Sequence, residues 1–407
     1  AGSGLTAVDD ISIVADEAVT INAAITSTAG DVTITAAMDD DTDEADDDIT
    51  IAANVTGNNV IFRLESDGTS YGEDILLNVD LNNTNVGGSY TFITDVTGQD
   101  LVLSTARSIT TDNGDVTINA NVTQSAASSL TITAGTGNVS LRNVTVTASG
   151  GLGLRVISSG VTTLNGNITT TAGLVDLDEA TNVVLGADVE ISTGNGGGGN
   201  IIFSNSGANS LSGGFNLGLD AGTGTVTIDN ATQLTGLHIE DLLNDDNTAG
   251  AATVTFNGVI DIPGEIEVRA ENAAAACTIT VDGALSSTGA ITLSALGTTQ
   301  DATVDINQDI TAGGALSISA DTSAGAQTAS VDIDADLTGN LTITSDDNVT
   351  IDGDVTATGS NPITITADND GDNTGDVIIA GAAVSTISSV DGKIDIDGEN
   401  ITIGNGT

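Results

Sequence analysis

One repeating unit in residues 279–367 limits what this chain can fold into. Four times, an alternating apolar pair is followed, six positions after its first member, by a third apolar residue and then by a second alternating pair. This pattern predicts a strand, a tight turn, a short strand, a turn, a third strand and a loop, repeated about every 18 to 27 residues. The first pairs are Ile279/Val281, Val304/Ile306, Val331/Ile333 and Val349/Ile351, the third residues are Leu285, Ile310, Leu337 and Val355, and the second pairs are Ile291/Leu293, Leu316/Ile318, Leu341/Ile343 and Ile363/Ile365.

The alternation within each pair excludes a helix as the main element, since residues i and i+2 share one face only in an extended chain. One unit is too thin to bury its apolar face, but successive units laid on one another bury continuous columns of Val, Ile and Leu. We therefore predict an all-β fold consisting of a single right-handed parallel β-helix, or β-solenoid, of about 17–20 coils.

Similar alternation is found along most of the chain. Since no proline-rich linker interrupts it, we expect residues 1–407 to form one continuous β-solenoid. The alternating pair Ile401/Ile403 lies close to the end of the sequence, so we expect this solenoid to be an interior piece of a longer protein. Residues 60–105 are less regular and contain two of the five phenylalanines. Their pattern fits either a widened set of coils or a small inserted hairpin.

The composition favours a narrow interior and many turns. Hydrophobic residues make up 39% of the chain, yet aromatic residues make up only 2% and tryptophan is absent. The narrow interior of a coil accepts Val, Ile, Leu and Ala without large rings. Fifty glycines against two prolines fit frequent tight turns between strands.

The charge of the chain excludes two classes of partner. Its formal net charge is −51, from 57 acidic residues against 6 lysines and arginines. A field of this sign repels nucleic acid and anionic membranes, and it attracts cations. No apolar run is long enough to cross a bilayer. The one cysteine, Cys277, allows no internal disulfide.

Three segments carry a family resemblance: Gly30–Ala36 (GDVTITA), Gly114–Val122 (GDVTINANV) and Gly289–Ala295 (GAITLSA). They resemble the degenerate repeats of filamentous-haemagglutinin-type adhesins, long secreted bacterial proteins built on a right-handed parallel β-helix. The resemblance covers most of the chain outside about 60–105. It implies an extracellular or cell-surface role in reach and attachment, without chemistry.

The segment Asp368-Asn369-Asp370-Gly371-Asp372, with Asp376 further on, resembles the oxygen-rich loops that hold Ca²⁺. Hard cations bind several carboxylate and carbonyl oxygens, and a glycine lets the chain wrap round the ion. The spacing lacks the terminal bidentate glutamate of an EF-hand. A structural Ca²⁺ site at these four aspartates and an ordinary solvated acidic loop are the two interpretations.

The acidic run at residues 39–48 is a second candidate for cation binding. So dense a run of carboxylates is excluded from a strand or a core, so we expect a loop that projects from one corner of a coil. The candidate ligands are Asp39, Asp41, Asp43, Asp46 and Asp48.

Outward aspartates such as Asp305 and Asp332 lie one repeat apart. Two carboxylates stacked at a coil rise of about 4.8 Å repel by about 0.9 kcal/mol even at the dielectric constant of water. Screening by salt or bound cations reduces this repulsion. We therefore expect Ca²⁺ or high salt to tighten the fold.

Pairs of threonines separated by one residue recur at outward positions, among them Thr131/Thr133, Thr278/Thr280 and Thr342/Thr344. Threonine is β-branched and suits a solvent-facing strand position. Flat threonine arrays also resemble the ice-binding faces of antifreeze β-solenoids. An ice-binding or ligand-binding solenoid is therefore an alternative function.

A β-helix enzyme that acts on polysaccharides is the enzymatic alternative. Such a site needs basic groups for uronate carboxylates or aromatic platforms for sugar rings, whereas Lys393 is the only lysine and the five arginines are scattered. We expect no catalytic residue, and no cofactor other than Ca²⁺. His238 is isolated, in a segment (235–243) whose pattern allows a short helical turn.

Together these features predict an extracellular structural and adhesive fibre protein, a stiff rod or filament subunit at the cell surface without enzymatic activity. Its expected partners are cations and further copies of the chain, which associate into filaments or bundles through exposed ladders or open ends. An adhesin would in addition contact a surface receptor or glycan.

Overall fold

The computed structural model is all-β, and among the residues it describes there is no helix. The chain divides into two compact units, residues 1–189 and 190–407, and each is considered by itself. The described residues are 4–36, 48–65, 73–95, 98–147, 151–194, 198–203, 211–239, 252–272, 275–323, 327–372, 374–380 and 385–404.

The first unit consists of short strands, and each pairs in parallel with a strand of the coil before it or after it. The last strand named here, β23, contains the boundary with the second unit. The strands are β1 Leu5–Ala7, β2 Ile11–Val14, β3 Val19–Ile21, β4 Ile25–Ser27, β5 Val32–Ala36, β6 Ile49–Ile51, β7 Val55–Thr56, β8 Asn59–Leu64, β9 Ile75–Leu77, β10 Leu81–Val86, β11 Ser89–Thr94, β12 Asp100–Leu103, β13 Arg107–Asp112, β14 Val116–Asn119, β15 Asn121–Gln124, β16 Leu130–Gly135, β17 Val139–Leu141, β18 Val144–Val146, β19 Leu152–Leu164, β20 Ile168–Thr170, β21 Leu174–Asp176, β22 Ala180–Leu185 and β23 Val189–Ser192.

Inward side chains of the first unit stack in columns. One column passes through eight successive levels, and all of its side chains are buried because the coils above and below cover them. Each level also bonds to its neighbours through the backbone, as parallel strands do. The column is Ile11, Val32, Val60, Tyr90, Val116, Val139, Thr162 and Val183.

The irregular segment 60–105 forms coils. Strand β8 pairs in parallel with β5 before it and with β11 after it, and β12 pairs in parallel with β9 and β15. Phe62 and Phe92 stack between neighbouring levels, with ring centroids 5.3 Å apart. The described parts of this segment, 60–65, 73–95 and 98–105, therefore form coils of the same parallel stack, and the inserted hairpin is wrong there. Phe62 and Phe92 fill the interior of these coils, as Phe256 does in the second unit.

The second unit follows the same plan. Its strands are β24 Ile201–Phe203, β25 Leu211–Ser212, β26 Asn216–Asp220, β27 Thr225–Ile228, β28 Ala231–Thr232, β29 Gly236–Ile239, β30 Thr253–Phe256, β31 Ile260–Ile262, β32 Glu265–Asn272, β33 Cys277–Val281, β34 Leu285–Ser287, β35 Ile291–Gly297, β36 Ala302–Ile306, β37 Ile310–Thr322, β38 Ala329–Ile333, β39 Leu337–Ser345, β40 Asn348–Ile351, β41 Val355–Ala357, β42 Ile363–Thr366, β43 Asp376–Ile379, β44 Ile387–Ser388, β45 Ile394–Asp397 and β46 Asn400–Ile403.

The alignment of repeats predicted from the sequence is confirmed in this unit. Residues that the repeat makes equivalent are partners across adjacent parallel strands, and they are buried. The three apolar groups of the repeat lie on three successive strands of one coil, for example β33, β34 and β35. Two such columns are Ile279, Val304, Val331 and Val349, and Leu285, Ile310, Leu337 and Val355.

The second unit has eight levels along one column and nine along its longest described column, which runs from Ile201 to Ile401. The number of coils is lower than the 17–20 expected. The reason is that some coils are longer than the repeat suggested: Asp354 and Thr386 occupy adjacent levels although 32 residues separate them. The predicted parallel β-solenoid fold is confirmed, whereas its continuity through both units and its right-handed sense stay predictions. The column of eight levels is Leu211, Ala231, Ile260, Leu285, Ile310, Leu337, Val355 and Ile387.

One local expectation is wrong. Gly236–Ile239 is strand β29, which pairs in parallel with β26 and β32, rather than a helical turn. The neighbouring coils supply strand partners there, and this tertiary pairing outweighs the local pattern. Residues 240–243 lie outside the described part of the chain.

Candidate functional site

Asp368, Asp370 and Asp372 lie together in a loop that follows β42. One carboxylate oxygen from each of the three lies within 4.8 Å of the other two, the one such group of three among the described His, Cys, Asp and Glu residues. The loop turns sharply because Asp368 (φ 60°) and Gly371 (φ 73°) both adopt the left-handed region. The turn directs the three carboxylates towards one another.

Hydrogen bonds tie this loop to itself and to the preceding coil. The backbone N–H of Gly371 donates to the carbonyl oxygen of Asp368 at 3.1 Å. The Thr374 hydroxyl donates to Oδ1 of Asp372 at 2.5 Å and to Oδ1 of Asp347 at 3.1 Å. The carboxylates are therefore held close to one another by the fold.

The electrostatics of the loop favour a cation. Desolvation, followed by the negative charges of Asp372, Asp346 and Asp368, raises the pKa of Asp370 above its ordinary value. The donor set, several carboxylates with backbone carbonyls nearby, suits Ca²⁺, which takes six to eight oxygen ligands. Asp368, Asp370 and Asp372 are the residues that would hold it.

Asp376, the fourth predicted ligand, is placed elsewhere. It begins strand β43, where its backbone N–H donates to Oδ1 of Asn348 at 3.1 Å and its own Oδ1 accepts from Nδ2 of Asn400 at 2.7 Å. Its carboxylate links two coils and does not belong to the group of three.

The second predicted cation site falls largely outside the described residues. Asp39, Asp41, Asp43 and Asp46 are not among them. Asp48 is described, and its Oδ1 accepts a hydrogen bond from the backbone N–H of Asp74 at 2.7 Å.

Stacking of outward aspartates is confirmed at one position. Asp305 and Asp332 are partners on the adjacent strands β36 and β38. Burial, followed by the charges of Asp334, Asp305 and Asp352, raises the pKa of Asp332. Repulsion between like charges on neighbouring coils is therefore built into this face.

Sequence reasoning missed a structural use of Asp and Asn at the corners of the coils. An Asp or Asn at the start of a strand accepts, through Oδ1, the backbone N–H of the equivalent residue one level higher, at 2.7–3.1 Å. These side chains satisfy backbone donors where the chain bends and the ladder is interrupted. In the sequence, these positions can be recognised as an Asp or Asn directly before the first inward residue of a strand. The pairs, acceptor first, include Asp10–Asp31, Asp31–Asn59, Asp48–Asp74, Asp74–Asp100, Asp80–Ser108, Asp115–Asn138, Asn143–Asn167, Asp309–Asp336, Asp336–Asp354 and Asp354–Thr386.

The structure also brings hydroxyl side chains into register on one face of the second unit. Eight serines and threonines occupy two columns over four levels, and Oγ of Ser319 donates to Oγ of Ser294 at 3.0 Å. No charged residue occupies these eight positions, which we name the hydroxyl face. They are Thr292, Ser317, Thr342 and Thr364 in one column and Ser294, Ser319, Thr344 and Thr366 in the other.

Several basic side chains lie apart on different coils and contact acidic neighbours. His238, on β29, lies between Glu265 and Glu267, with nitrogen–oxygen distances of 3.6 and 3.4 Å. Each of these contacts lies within one coil or between adjacent coils. Other pairs include Arg63 with Glu65, Arg155 with Asp176 and Glu179, Arg269 with Glu271, and Lys393 with Asp395.

Comparison of the chain with protein-family models, with curated proteins and with solved structures gave no match. Within the described ranges, no helix has the length and apolar character needed to cross a bilayer.

Proposed function

We propose that this chain is a structural and adhesive fibre protein of the extracellular space or cell surface, acting as a stiff rod or filament subunit without catalysis. The observation that supports it most is the parallel register kept through eight successive levels in each unit. Each level is joined to the next by backbone hydrogen bonds and by a buried aliphatic column, so bending must disturb both. A stack that resists bending in this way is suited to spanning a distance and to bearing mechanical load.

Charge and resemblance support the same function. A net charge of −51 keeps the chain soluble and discourages nonspecific binding to anionic surfaces. The resemblance of Gly114–Val122 and similar segments to adhesin repeats supports the extracellular location. Arg155, Arg269 and Lys393 are each paired with a neighbouring carboxylate, which leaves less positive charge for recognising an acidic polysaccharide and disfavours such a site.

Electron microscopy of the purified chain and of its native assembly tests this function. We expect narrow particles or filaments, since eight levels at about 4.8 Å extend a unit by about 34 Å along its column. Particles of equal dimensions in every direction, at every salt concentration, would contradict the proposal.

We further propose that the loop of Asp368, Asp370 and Asp372 binds Ca²⁺ and that Ca²⁺ stabilises the second unit. Thermal unfolding should therefore shift to higher temperature in millimolar Ca²⁺ than in chelator at low salt. At a Ca²⁺ concentration a hundred times the Kd, binding adds about 2.7 kcal/mol to the free energy of unfolding. Circular dichroism during heating measures the shift.

Matched variants separate binding from general screening. The double variant Asp370→Asn, Asp372→Asn should lose the additional gain from Ca²⁺ while it still responds to NaCl at the same ionic strength. Asp376→Asn should keep that gain, because Asp376 lies outside the group of three. An equal gain in the double variant, or no loss of stability in chelator, would count against the Ca²⁺ site.

Lateral association is part of the proposal. Carboxylates line much of the molecule, whereas the hydroxyl face carries none over four levels. Another copy that approaches this face therefore meets less like-charge repulsion than elsewhere. Cations gathered by the acidic loops would reduce the remaining repulsion, so bundles should form more readily in salt.

The hydroxyl face also favours a second candidate function, the binding of ice or of a flat ligand. Its hydroxyls are spaced regularly, at about 4.8 Å between levels and about 6.6 Å along a strand. If it binds ice, the chain will show thermal hysteresis, and Thr342→Lys will reduce it. Thr350→Lys, on the face that carries Asp332, is the control and should leave it unchanged. Absence of hysteresis in the unmodified chain would rule out ice binding.

A further inference from the structure

The turn between β21 and β22 is a place where the ladder of the first unit is irregular. Arg155 of β19 pairs with Asp176 at the end of β21, and Ser158 of β19 pairs with Ala180 at the start of β22. Three residues, 177–179, therefore lie opposite two residues of β19. The additional residue makes a bulge, so side chains contribute to holding this turn where the regular ladder does not.

One arginine and three carboxylates meet at this turn. Nε of Arg155 lies 3.5 Å from Oδ2 of Asp176, and its Nη2 contacts Oε1 of Glu179. Asp176 is buried, and its Oδ1 accepts the backbone N–H of Asp178 at 3.3 Å. The carboxyl groups of Asp176 and Asp178 are also within hydrogen-bonding reach of each other, and Oδ1 of Asp178 is buried without a hydrogen-bond partner. Two carboxylates this close repel each other unless one of them carries a proton.

These four side chains are isolated from other titratable groups. They are the only titratable residues between positions 143 and 187, and residues 191–219 contain none. Arg155 is the one charged residue of β19, which pairs with both β21 and β22. Asp188 and Glu190 follow beyond β22, at the start of β23. One positive charge therefore faces three carboxylates at this turn.

We propose that this group of one arginine and three carboxylates is a pH-sensitive latch on the turn between β21 and β22, closed in mildly acidic solution. When Asp178 takes a proton from the solvent, its carboxyl O–H donates to the Asp176 carboxylate and ties the two ends of the bulge together. The Arg155 guanidinium then faces two negative charges, those of Asp176 and Glu179. At neutral pH the charged Asp178 repels both of these carboxylates, and the turn opens more readily.

The direction follows from proton linkage. Burial and the hydrogen bond with Asp176, followed by the charges of Asp176 and Glu179, raise the pKa of Asp178 to about 6, against the lowering effect of Arg155. The folded chain therefore binds this proton more tightly than the unfolded chain does. The resulting stabilisation is fully present below the ordinary pKa of 3.8 and is lost as the pH rises through about 6. Between pH 7.5 and pH 5 the latch closes.

Hydrogen exchange of β21 and β22, corrected for the intrinsic effect of pH and measured in chelator, tests the latch. We expect protection of these strands to rise about fivefold from pH 7.5 to pH 5, less than the roughly tenfold of an unscreened shift. Asp178→Asn should show high protection at pH 7.5 and little pH dependence, because its amide donates to Asp176 without taking up a proton.

A second variant keeps the test independent of Asp178 itself. Arg155→Gln removes the one positive charge at the turn, so the midpoint of the pH dependence should move to higher pH while the rise in protection persists. The control is Asp115→Asn in the same unit, since Oδ1 of Asp115 accepts the backbone N–H of Asn138 at 2.7 Å, away from the turn, and this variant should behave as the unmodified chain. An unchanged pH dependence in Asp178→Asn, an equal loss of it in Asp115→Asn, or a midpoint that does not rise in Arg155→Gln would overturn the proposal.

Discussion

Replacing Phe62 with alanine is expected to lower the free energy of unfolding of the first unit by about 3–5 kcal/mol. Phe62 is fully buried and lies in register between Ile34 and Phe92 of the neighbouring coils. Because backbone hydrogen bonds fix the spacing of the coils, these neighbours are poorly able to collapse into the cavity. The loss should therefore fall in the upper part of the range for a buried ring.

Urea denaturation followed by circular dichroism measures the loss, and hydrogen exchange locates it. Since each level of a solenoid contacts only its neighbours, protection should fall most on β5, β8 and β11. Phe215→Ala is the control, because Phe215 is 37% exposed, and it should cost about 1–2 kcal/mol, less than Phe62→Ala. Equal losses in the two variants would contradict the packing described for Phe62.

Replacing Gly137 with alanine is expected to destabilise the first unit by about 3 kcal/mol, the upper end of the usual range for overpacking. A Cβ atom on Gly137 would lie 2.1 Å from the carbonyl oxygen of Gly114, on the coil before. Gly160 approaches the carbonyl oxygen of Gly137 in the same way, at 2.4 Å. The atoms that would have to yield are backbone atoms held by the ladders, so the whole corner must shift.

Gly151→Ala provides the matched control in the same unit. A Cβ atom there has no neighbour within 4 Å, so the free energy of unfolding should change by less than about 0.5 kcal/mol. Both variants are compared by urea denaturation. A loss at Gly137 no larger than that at Gly151 would show that the corner has room for a side chain.

The fold was predictable from the sequence because the repeat itself shows which residues of successive coils are equivalent. The equivalence of Ile279, Val304, Val331 and Val349 follows from the fixed offset of six residues, and the parallel strands pair these residues as partners. A one-residue slip would turn every inward side chain outward, so the apolar pattern fixes the register wherever it is clear.

The number of coils was not predictable, because loop length does not alter the core. Asp336 and Asp354 occupy adjacent levels 18 residues apart, whereas Asp354 and Thr386 occupy adjacent levels 32 residues apart. A long loop at a corner of a coil leaves the columns of inward side chains in register. Counting repeats of the short kind therefore overestimated the coils.

Only those ligands of the candidate cation site that are close together in the sequence were predicted correctly. Asp368, Asp370 and Asp372 lie within five residues, so one sharp turn at Gly371 brings their carboxylates together. Asp376 is only four residues further, but it is the first residue of strand β43, and its backbone N–H bonds to Asn348 of the neighbouring coil. The stacking of outward aspartates such as Asp305 and Asp332 followed from the repeat, whereas the hydrogen bonds by which corner aspartates such as Asp48 accept backbone N–H groups of the next level did not.

The sequence by itself determined the strand character, the parallel stacking and the identity of the inward side chains, since period-two alternation and a constant offset leave only one set of faces that can be buried together. The tertiary structure alone decided which carboxylates, hydroxyls and glycines become neighbours. Equivalent positions on adjacent levels are 18 to 32 residues apart in the sequence, so separation along the chain does not determine contact between coils. The hydrogen bonds that join Asp48, Asp74 and Asp100 and the close approach of Gly137 to Gly114 both arise from that stacking.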